Sequence, residues 1–170
     1  TKVRKMHSTR RDAFKSINEQ PLAKIWPNGK IEVTNSKHKE RSEKKVKADV
    51  DFEPKISLIK AYNGSDPEII DFLIEKKTRG IIIEGTALGH VPTGESGTSM
   101  GKFDKKKSWI PFIEKAVEKG VFVGMTTQSI YGTVHPFVYR NLRLANSAGA
   151  VYLQDMLAET AYIKMGWVLG

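Results

Sequence analysis

Four short apolar runs separated by amphipathic stretches dominate the chain from Ile56 onwards. The runs read ISLIKAY, RGIIIEG, VFVGMT and AVYL. Strands that alternate with helices in this way form parallel sheets wrapped by crossover helices, and a continuous run such as GIII predicts a strand buried on both faces. The pattern therefore predicts an α/β domain over residues 55–170, with an open parallel sheet of the flavodoxin or Rossmann kind.

The first 54 residues have a different pattern and are expected to form smaller elements. TKVRKM predicts a short strand, and RRDAFKSIN predicts one or two helical turns. LAKIWPNGKIEV predicts a hairpin, because Asn-Gly between alternating apolar residues is the strongest short-range hairpin signal. We expect residues 1–33 to form this strand, short helix and hairpin, and residues 34–54 to form a basic linker between two domains.

The charge of the chain lies mostly in its first third. The sequence has 28 Lys and Arg residues against 19 Asp and Glu residues, a net charge of +9. Residues 1–60 carry 16 basic and 8 acidic side chains, whereas residues 61–170 carry 12 and 11. The densest run, Lys37–Lys47, offers only Val46 for burial, which is typical of a solvated linker. An RNA-binding module that uses this basic third remains an alternative.

Composition excludes several classes of site. The absence of cysteine excludes disulfides, thiol nucleophiles and zinc–thiolate sites. No apolar run approaches the roughly 18 residues that a membrane span needs, so no membrane association is expected. The four histidines show no metal-ligand spacing, and no metal site is predicted. A chain that begins at Thr1 and closes on GWVLG is expected to be a fragment of a longer protein.

Helix-start signals are also readable. Ser65-Asp66-Pro67-Glu68 matches a capping box, and Ser108 and Asp155 precede amphipathic stretches where a capping side chain is expected. These signals predict helices that begin after Ser65, Ser108 and Asp155.

Candidate chemistry lies in the loops and near the first strand. Ligands of open α/β sheets bind outside the carboxyl ends of the strands, and the longest loop there, residues 85–101, is rich in Gly, Ser and Thr. It contains one histidine, His90, which is either a site residue or a structural one. Lys5 lies close to Ser8 and Thr9. A charged ammonium that orients a neighbouring group is the less costly role for Lys5, because a neutral amine at pH 7 requires strong desolvation.

Several segments resemble a known family. KVRKMHSTRRDAFKSIN, PLAKI and the PNGKIE turn resemble the junction between the two domains of L-asparaginase-like amidohydrolases. RGIIIEGTALGHVP, MTTQSIYGTVHPFVY and DMLAETAYIKMGWVLG resemble the transamidating branch of that family, the archaeal glutamyl-tRNA(Gln) amidotransferase D subunits. The resemblance implies the tail of an N-terminal catalytic domain followed by the C-terminal domain.

The resemblance implies a mechanism whose parts lie only partly in this chain. The family uses two threonines, in TGGT and TDT motifs, with the Asp of TDT and a Lys that matches Lys5; neither motif occurs here. A threonine hydroxyl attacks the side-chain amide of glutamine or asparagine once a neighbour accepts its proton. The resemblance assigns Lys5 a catalytic role and His90 a substrate contact in the neighbouring subunit. The 170 residues alone are expected to be inactive.

The resemblance also implies partners. The D subunit releases ammonia from glutamine, and the E subunit of the amidotransferase uses ATP and Mg to convert misacylated Glu-tRNA(Gln) to Gln-tRNA(Gln). A homodimer through the asparaginase-like domain, contact with tRNA(Gln) through the complex, and a cytoplasmic location are implied, with no cofactor bound by this chain. A free L-asparaginase remains the alternative within the family.

Overall fold

The computed structural model describes residues 2–94 and 105–170. The chain divides into two compact units, Thr1–Asp49 and Val50–Gly170. None of the helices in the described residues is long and apolar enough to cross a bilayer.

The first unit consists of two antiparallel hairpins. β1 (Lys2–Lys5) pairs with β2 (Phe14–Ile17), and β3 (Ala23–Ile25) pairs with β4 (Ile31–Val33). The second hairpin confirms the turn predicted from Asn-Gly, with Gly29 at φ +81° and its N–H donating to the Trp26 carbonyl oxygen over 2.9 Å. Gly29 supplies the left-handed conformation that the turn needs.

The helix predicted over RRDAFKSIN is wrong, because this segment forms β2. All four residues of β2 pair with β1, and the chain leaves the strand at Asn18, whose φ is +60°. The spacing of Ala13 and Ile17, both buried, suits a helix as well as a strand. A helix of nine residues is marginal by itself, whereas pairing with β1 satisfies the backbone groups along the facing edges of both segments.

Residues 34–55 contain no strand or helix, and the side chains of residues 36–52 are all exposed. The last part of this segment nevertheless belongs to the second unit, where the Glu53 N–H donates to the Gly166 carbonyl oxygen over 2.8 Å.

The second unit is the α/β domain that the apolar runs predict. Its elements, in chain order, are β5 (Ile56–Lys60), α1 (Glu68–Glu75), β6 (Gly80–Gly85), α2 (Ile110–Glu118), β7 (Phe122–Thr127), α3 (Arg140–Ser147), β8 (Val151–Tyr152) and α4 (Ala158–Leu169). The four strands form one parallel sheet in the order β5-β6-β7-β8. Because right-handed crossovers that advance in one direction place their helices on one face, α1, α2 and α3 share a face of this sheet.

Two apolar clusters flank the sheet, as alternation along β6 requires. Ile81 and Ile83 pack into the larger cluster, which includes residues of α1, α2 and α3 and the buried Trp109. Ile82 points to the other face, where Ala161 and Met165 of α4 contact it. Within residues 50–94 and 105–170, the sheet therefore has three α-helices on one face and one on the other.

The helices begin later than the capping signals predict. α1 starts behind Pro67 and α4 behind Leu157, and neither N-cap residue makes a side-chain capping bond. The Ser65 hydroxyl donates to the Tyr62 carbonyl oxygen over 2.6 Å, while the Asp66 carboxylate accepts from the Glu68 N–H over 3.0 Å. The predicted capping box is therefore wrong. The Ser65 hydroxyl bonds within the preceding loop, and Asp66 instead of Ser65 caps the first turn of α1.

Candidate functional site

A cavity of about 260 Å³ lies at the carboxyl edge of the sheet in the second unit. Three segments form its wall: the residues after β5, the residues after β6, and Asn141 of α3. The lining residues are Ala61, Tyr62, Asn63, Thr86, His90, Val91, Pro92, Thr93, Gly94 and Asn141. This position agrees with the expectation that ligands of parallel α/β sheets bind beyond the strand ends.

The loop after β6 is held in a tight turn. The Thr86 N–H donates to the His90 carbonyl oxygen over 2.9 Å, and the His90 N–H donates back to the Thr86 carbonyl oxygen over 2.8 Å. Gly89 within this turn has φ +95°, and a Cβ there would meet Met125 Cγ and Tyr152 Cε1 at 2.9 Å each. Only glycine fits this close approach, so the turn fixes the backbone of His90 over the strand ends.

The side chains of two further residues, Thr127 and Tyr152, bond to the backbone of the turn after β6. The Thr127 hydroxyl donates to the Ala87 carbonyl oxygen, and the Tyr152 hydroxyl lies 3.2 Å from the carbonyl oxygens of Gly89 and Leu142. Burial raises the pKa of the Tyr152 hydroxyl, which therefore keeps its proton and can donate it to one of these oxygens.

Gln128 joins three strands at the floor of this region. Its side-chain amide donates to the carbonyl oxygens of Ala61 and Glu84, the second over 3.2 Å, and its backbone N–H donates to the Gly85 carbonyl oxygen over 2.8 Å. Sequence reasoning missed Gln128. The sequence signal that could have indicated it is a side-chain amide directly after the buried strand β7.

Replacement of Gln128 by Glu tests this clamp. The introduced carboxyl would face two carbonyl oxygens, so its pKa in the folded protein should rise above the unfolded value of about 4.3. A raised carboxyl pKa costs no stability below about pH 4 and costs progressively more as the pH rises. We expect Gln128→Glu to destabilise the second unit by about 1–3 kcal/mol at pH 7 and by less at pH 4. Gln128→Met, which carries no charge, should lose stability equally at both pH values in urea unfolding. Equal behaviour of the two variants would argue against the clamp.

His90 is half-buried and lines the cavity. Its ring lies 5.6 Å from that of Tyr139, at an interplanar angle of 43°. Thr93, which is 8% exposed, has a buried hydroxyl oxygen without a hydrogen-bond partner among the described residues. The wall therefore combines an imidazole, amides and hydroxyls, and no Asp, Glu, Lys or Arg side chain is among its described lining residues. It suits a small polar group that both donates and accepts hydrogen bonds.

Lys5 lies in the first unit, at the end of β1, where it pairs with Phe14 of β2 and is exposed. The turn that follows is organised by His7, whose Nδ1 accepts from the N–H groups of Thr9 and Arg10 over 3.2 and 3.3 Å. Lys5 and His90 thus belong to different units.

The described residues contain no group of three His, Cys, Asp or Glu side chains that could hold a metal ion. Residues 95–101 of the predicted ligand loop lie outside the described ranges.

Fold and cavity define a parallel α/β domain with a polar site at the carboxyl edge of its sheet. Residues 55–170 match the glutaminase/asparaginase C-terminal domain family, and the chain belongs to that family. The predicted resemblance to L-asparaginase-like amidohydrolases is thereby confirmed.

Relatives in the same family sharpen the comparison. The chain is 51% identical over 170 residues to the D subunit of glutamyl-tRNA(Gln) amidotransferase from Pyrococcus abyssi, and 43% identical over 169 residues to the protein of that name in Sulfurisphaera tokodaii. The matches cover 100% and 99% of this chain but only 36% and 34% of those proteins. The chain therefore spans about a third of the length of these relatives.

The fold also matches solved structures. The thermostable L-asparaginase from Thermococcus kodakarensis superposes with a TM-score of 0.79 at 28% identity, over 99% of this chain and 46% of that one. L-asparaginase I from Vibrio cholerae matches with a TM-score of 0.76 at 24% identity, over 99% of this chain and 46% of that one, and shows the fold alone.

Proposed function

We propose that this chain is part of the glutaminase subunit of a tRNA-dependent amidotransferase. The observation that carries the proposal is the 51% identity to an amidotransferase D subunit along the whole chain. The protein would hydrolyse glutamine and supply ammonia, and its partner, the E subunit, would use ATP and Mg to amidate Glu-tRNA(Gln). Contact with tRNA(Gln) would be made through this complex in the cytoplasm.

Within this proposal, Lys5 belongs to the catalytic domain, and the chain contributes no nucleophile of its own. The threonine pair and the aspartate of the family lie in motifs that this sequence lacks. The 170 residues alone are therefore proposed to be inactive and to bind no cofactor. A homodimer would bring His90 to the active site of the neighbouring subunit, where its imidazole would contact the substrate.

A comparison of two substrates tests the proposal against a free L-asparaginase. The full-length protein is assayed for ammonia release from glutamine and from asparagine, with and without its partner subunit and Glu-tRNA(Gln). We expect glutamine hydrolysis that rises when partner and tRNA are added. Rapid asparagine hydrolysis by the full-length protein alone, with no response to the partner, would instead favour the free asparaginase.

A further inference from the structure

The turn after β6 contains two residues in the left-handed region of the backbone. Gly89 has φ +95°, and Ala87, which carries a Cβ, has φ +44°. A non-glycine residue in this region is strained, so it persists only where surrounding contacts hold it, and such residues cluster at binding and catalytic sites. The turn ends at His90, which lines the cavity. Its conformation therefore depends on the bonds that other segments make to it.

All five backbone carbonyl oxygens of residues 86–90 have a donor within hydrogen-bond distance. Two of them accept from N–H groups of the turn itself, and three face donors of later segments. These three contacts join the Thr127 hydroxyl to the Ala87 oxygen, the His135 N–H to the Leu88 oxygen over 3.1 Å, and the Tyr152 hydroxyl to the Gly89 oxygen over 3.2 Å. Because Gly89 directly precedes His90, Tyr152 contacts the peptide next to the imidazole.

Tyr152 also reaches a second part of the cavity wall. Its hydroxyl lies 3.2 Å from the carbonyl oxygen of Leu142 in α3, and the residue before Leu142 is Asn141, which lines the cavity. A phenolic hydroxyl carries one proton, so it donates to one of the two oxygens at a time. One side chain thus contacts the backbone next to His90 and the backbone next to Asn141.

The sheet fixes the ring that carries this hydroxyl. Tyr152 belongs to β8, where it pairs with Met125 of β7, and its half-buried ring packs on the larger apolar cluster. Its Cε1 atom lies so close to Gly89 that a Cβ added to that glycine would come within 2.9 Å of it. A group held on a packed strand is placed more accurately than one held on a loop. Tyr152 therefore ties the turn to the rigid part of the domain.

We propose that Tyr152 is a positioning residue for glutamine hydrolysis, whose hydroxyl sets the place of His90 relative to Asn141. The inference rests on the proposed function, in which His90 contacts the substrate. Tyr152 is not among the described residues that line the cavity, so it acts through His90. Loss of its hydroxyl lets the strained turn relax at Ala87 and moves the imidazole. Glutamine binding then weakens, whereas the groups that carry out the chemistry are untouched.

Tyr152→Phe in the full-length protein tests this role, because it keeps the ring and removes only the hydroxyl. Glutamine hydrolysis is measured with the partner subunit and Glu-tRNA(Gln) for wild type, Tyr152→Phe, His90→Ala and the double variant. We expect Tyr152→Phe to raise the KM for glutamine about three- to tenfold, which corresponds to the net loss of one hydrogen bond, while kcat stays within about twofold. In the His90→Ala background, the same change should leave KM as it is. The matched control is Tyr162→Phe, which removes a hydroxyl from α4 on the other face of the sheet and should change neither constant.

The outcomes separate the positioning role from the proposed function. A wild-type protein that does not hydrolyse glutamine overturns both. Hydrolysis with an unchanged KM in Tyr152→Phe, or in His90→Ala, overturns the positioning role and leaves the function standing. An equal rise in KM with and without His90 shows a general structural effect and also overturns the role. Hydrogen exchange is an independent check: the amides of residues 86–90 should exchange faster in Tyr152→Phe than in wild type, and no difference there overturns it.

Discussion

Replacement of Lys5 by Met in the full-length protein should reduce glutamine-dependent formation of Gln-tRNA(Gln) by about 10²–10⁴-fold, the range that a positioned proton-transfer or charge-stabilising group contributes. Lys5 is exposed at the end of β1 within the first unit, so its removal should not disturb the core. Met keeps the length and much of the apolar stem of Lys while removing the ammonium that would orient the catalytic threonine and aspartate.

Lys15→Met is the matched control for this prediction. Lys15 is an exposed lysine on β2, the strand paired with β1. Its replacement should leave the turnover number and the melting temperature close to those of wild type. If Lys5→Met and Lys15→Met both retained amidation activity close to that of wild type, this result would contradict the catalytic assignment of Lys5.

Replacement of Trp109 by Ala should cost the second unit about 3–5 kcal/mol of unfolding free energy, the usual loss for a fully buried aromatic side chain. Trp109 is 1% exposed at the start of α2 and packs in the larger apolar cluster. Its indole Nε1 is buried without a hydrogen-bond partner in the described residues. Trp109→Phe should therefore lower the free energy of unfolding much less, because no hydrogen bond is lost and the phenyl ring fills most of the space.

Trp167→Ala provides the contrast in the same unit, since Trp167 is 48% exposed. Its effect on urea unfolding should be about 1 kcal/mol or less, as is usual for surface changes. Equal destabilisation by the two alanine variants would contradict the stabilising effect of burying Trp109.

Elements fixed by local chemistry were predictable from the sequence. The run Ile81–Ile83 has no polar residue to face solvent, so burial on both faces followed directly, and the structure shows all three fully buried. The Asn28-Gly29 turn was predictable for a similar reason, because few other residues adopt the conformation that Gly29 has.

Features that depend on distant partners were not predictable. The pattern of Ala13 and Ile17 fits a helix and a strand equally, and only pairing with β1 decides between them. Serine is a common helix-capping residue, yet the Ser65 hydroxyl donates to the Tyr62 carbonyl oxygen instead. The role of Gln128 depends on the folded sheet, because its side-chain amide bonds to the carbonyl oxygens of Ala61, after β5, and Glu84, in β6.

The candidate site shows the same division. The sequence indicates His90 because it is the one histidine of the longest strand-end loop, and it lies in the wall of the cavity. The buried hydroxyl of Thr93 carries no sequence signal that separates it from the other threonines, because its burial depends on how the loop folds back. The catalytic role of Lys5 and the substrate contact of His90 remain predictions.

Transfer of nitrogen from glutamine to tRNA tests the central proposal most directly. The full-length protein and its partner subunit are incubated with Glu-tRNA(Gln), ATP, Mg and glutamine labelled with ¹⁵N in the side-chain amide, and the amino acid released from the tRNA is analysed by mass spectrometry. We predict that this amino acid is glutamine with the label in its side-chain amide. Unchanged glutamate on the tRNA, together with ammonia released freely from asparagine, would contradict it.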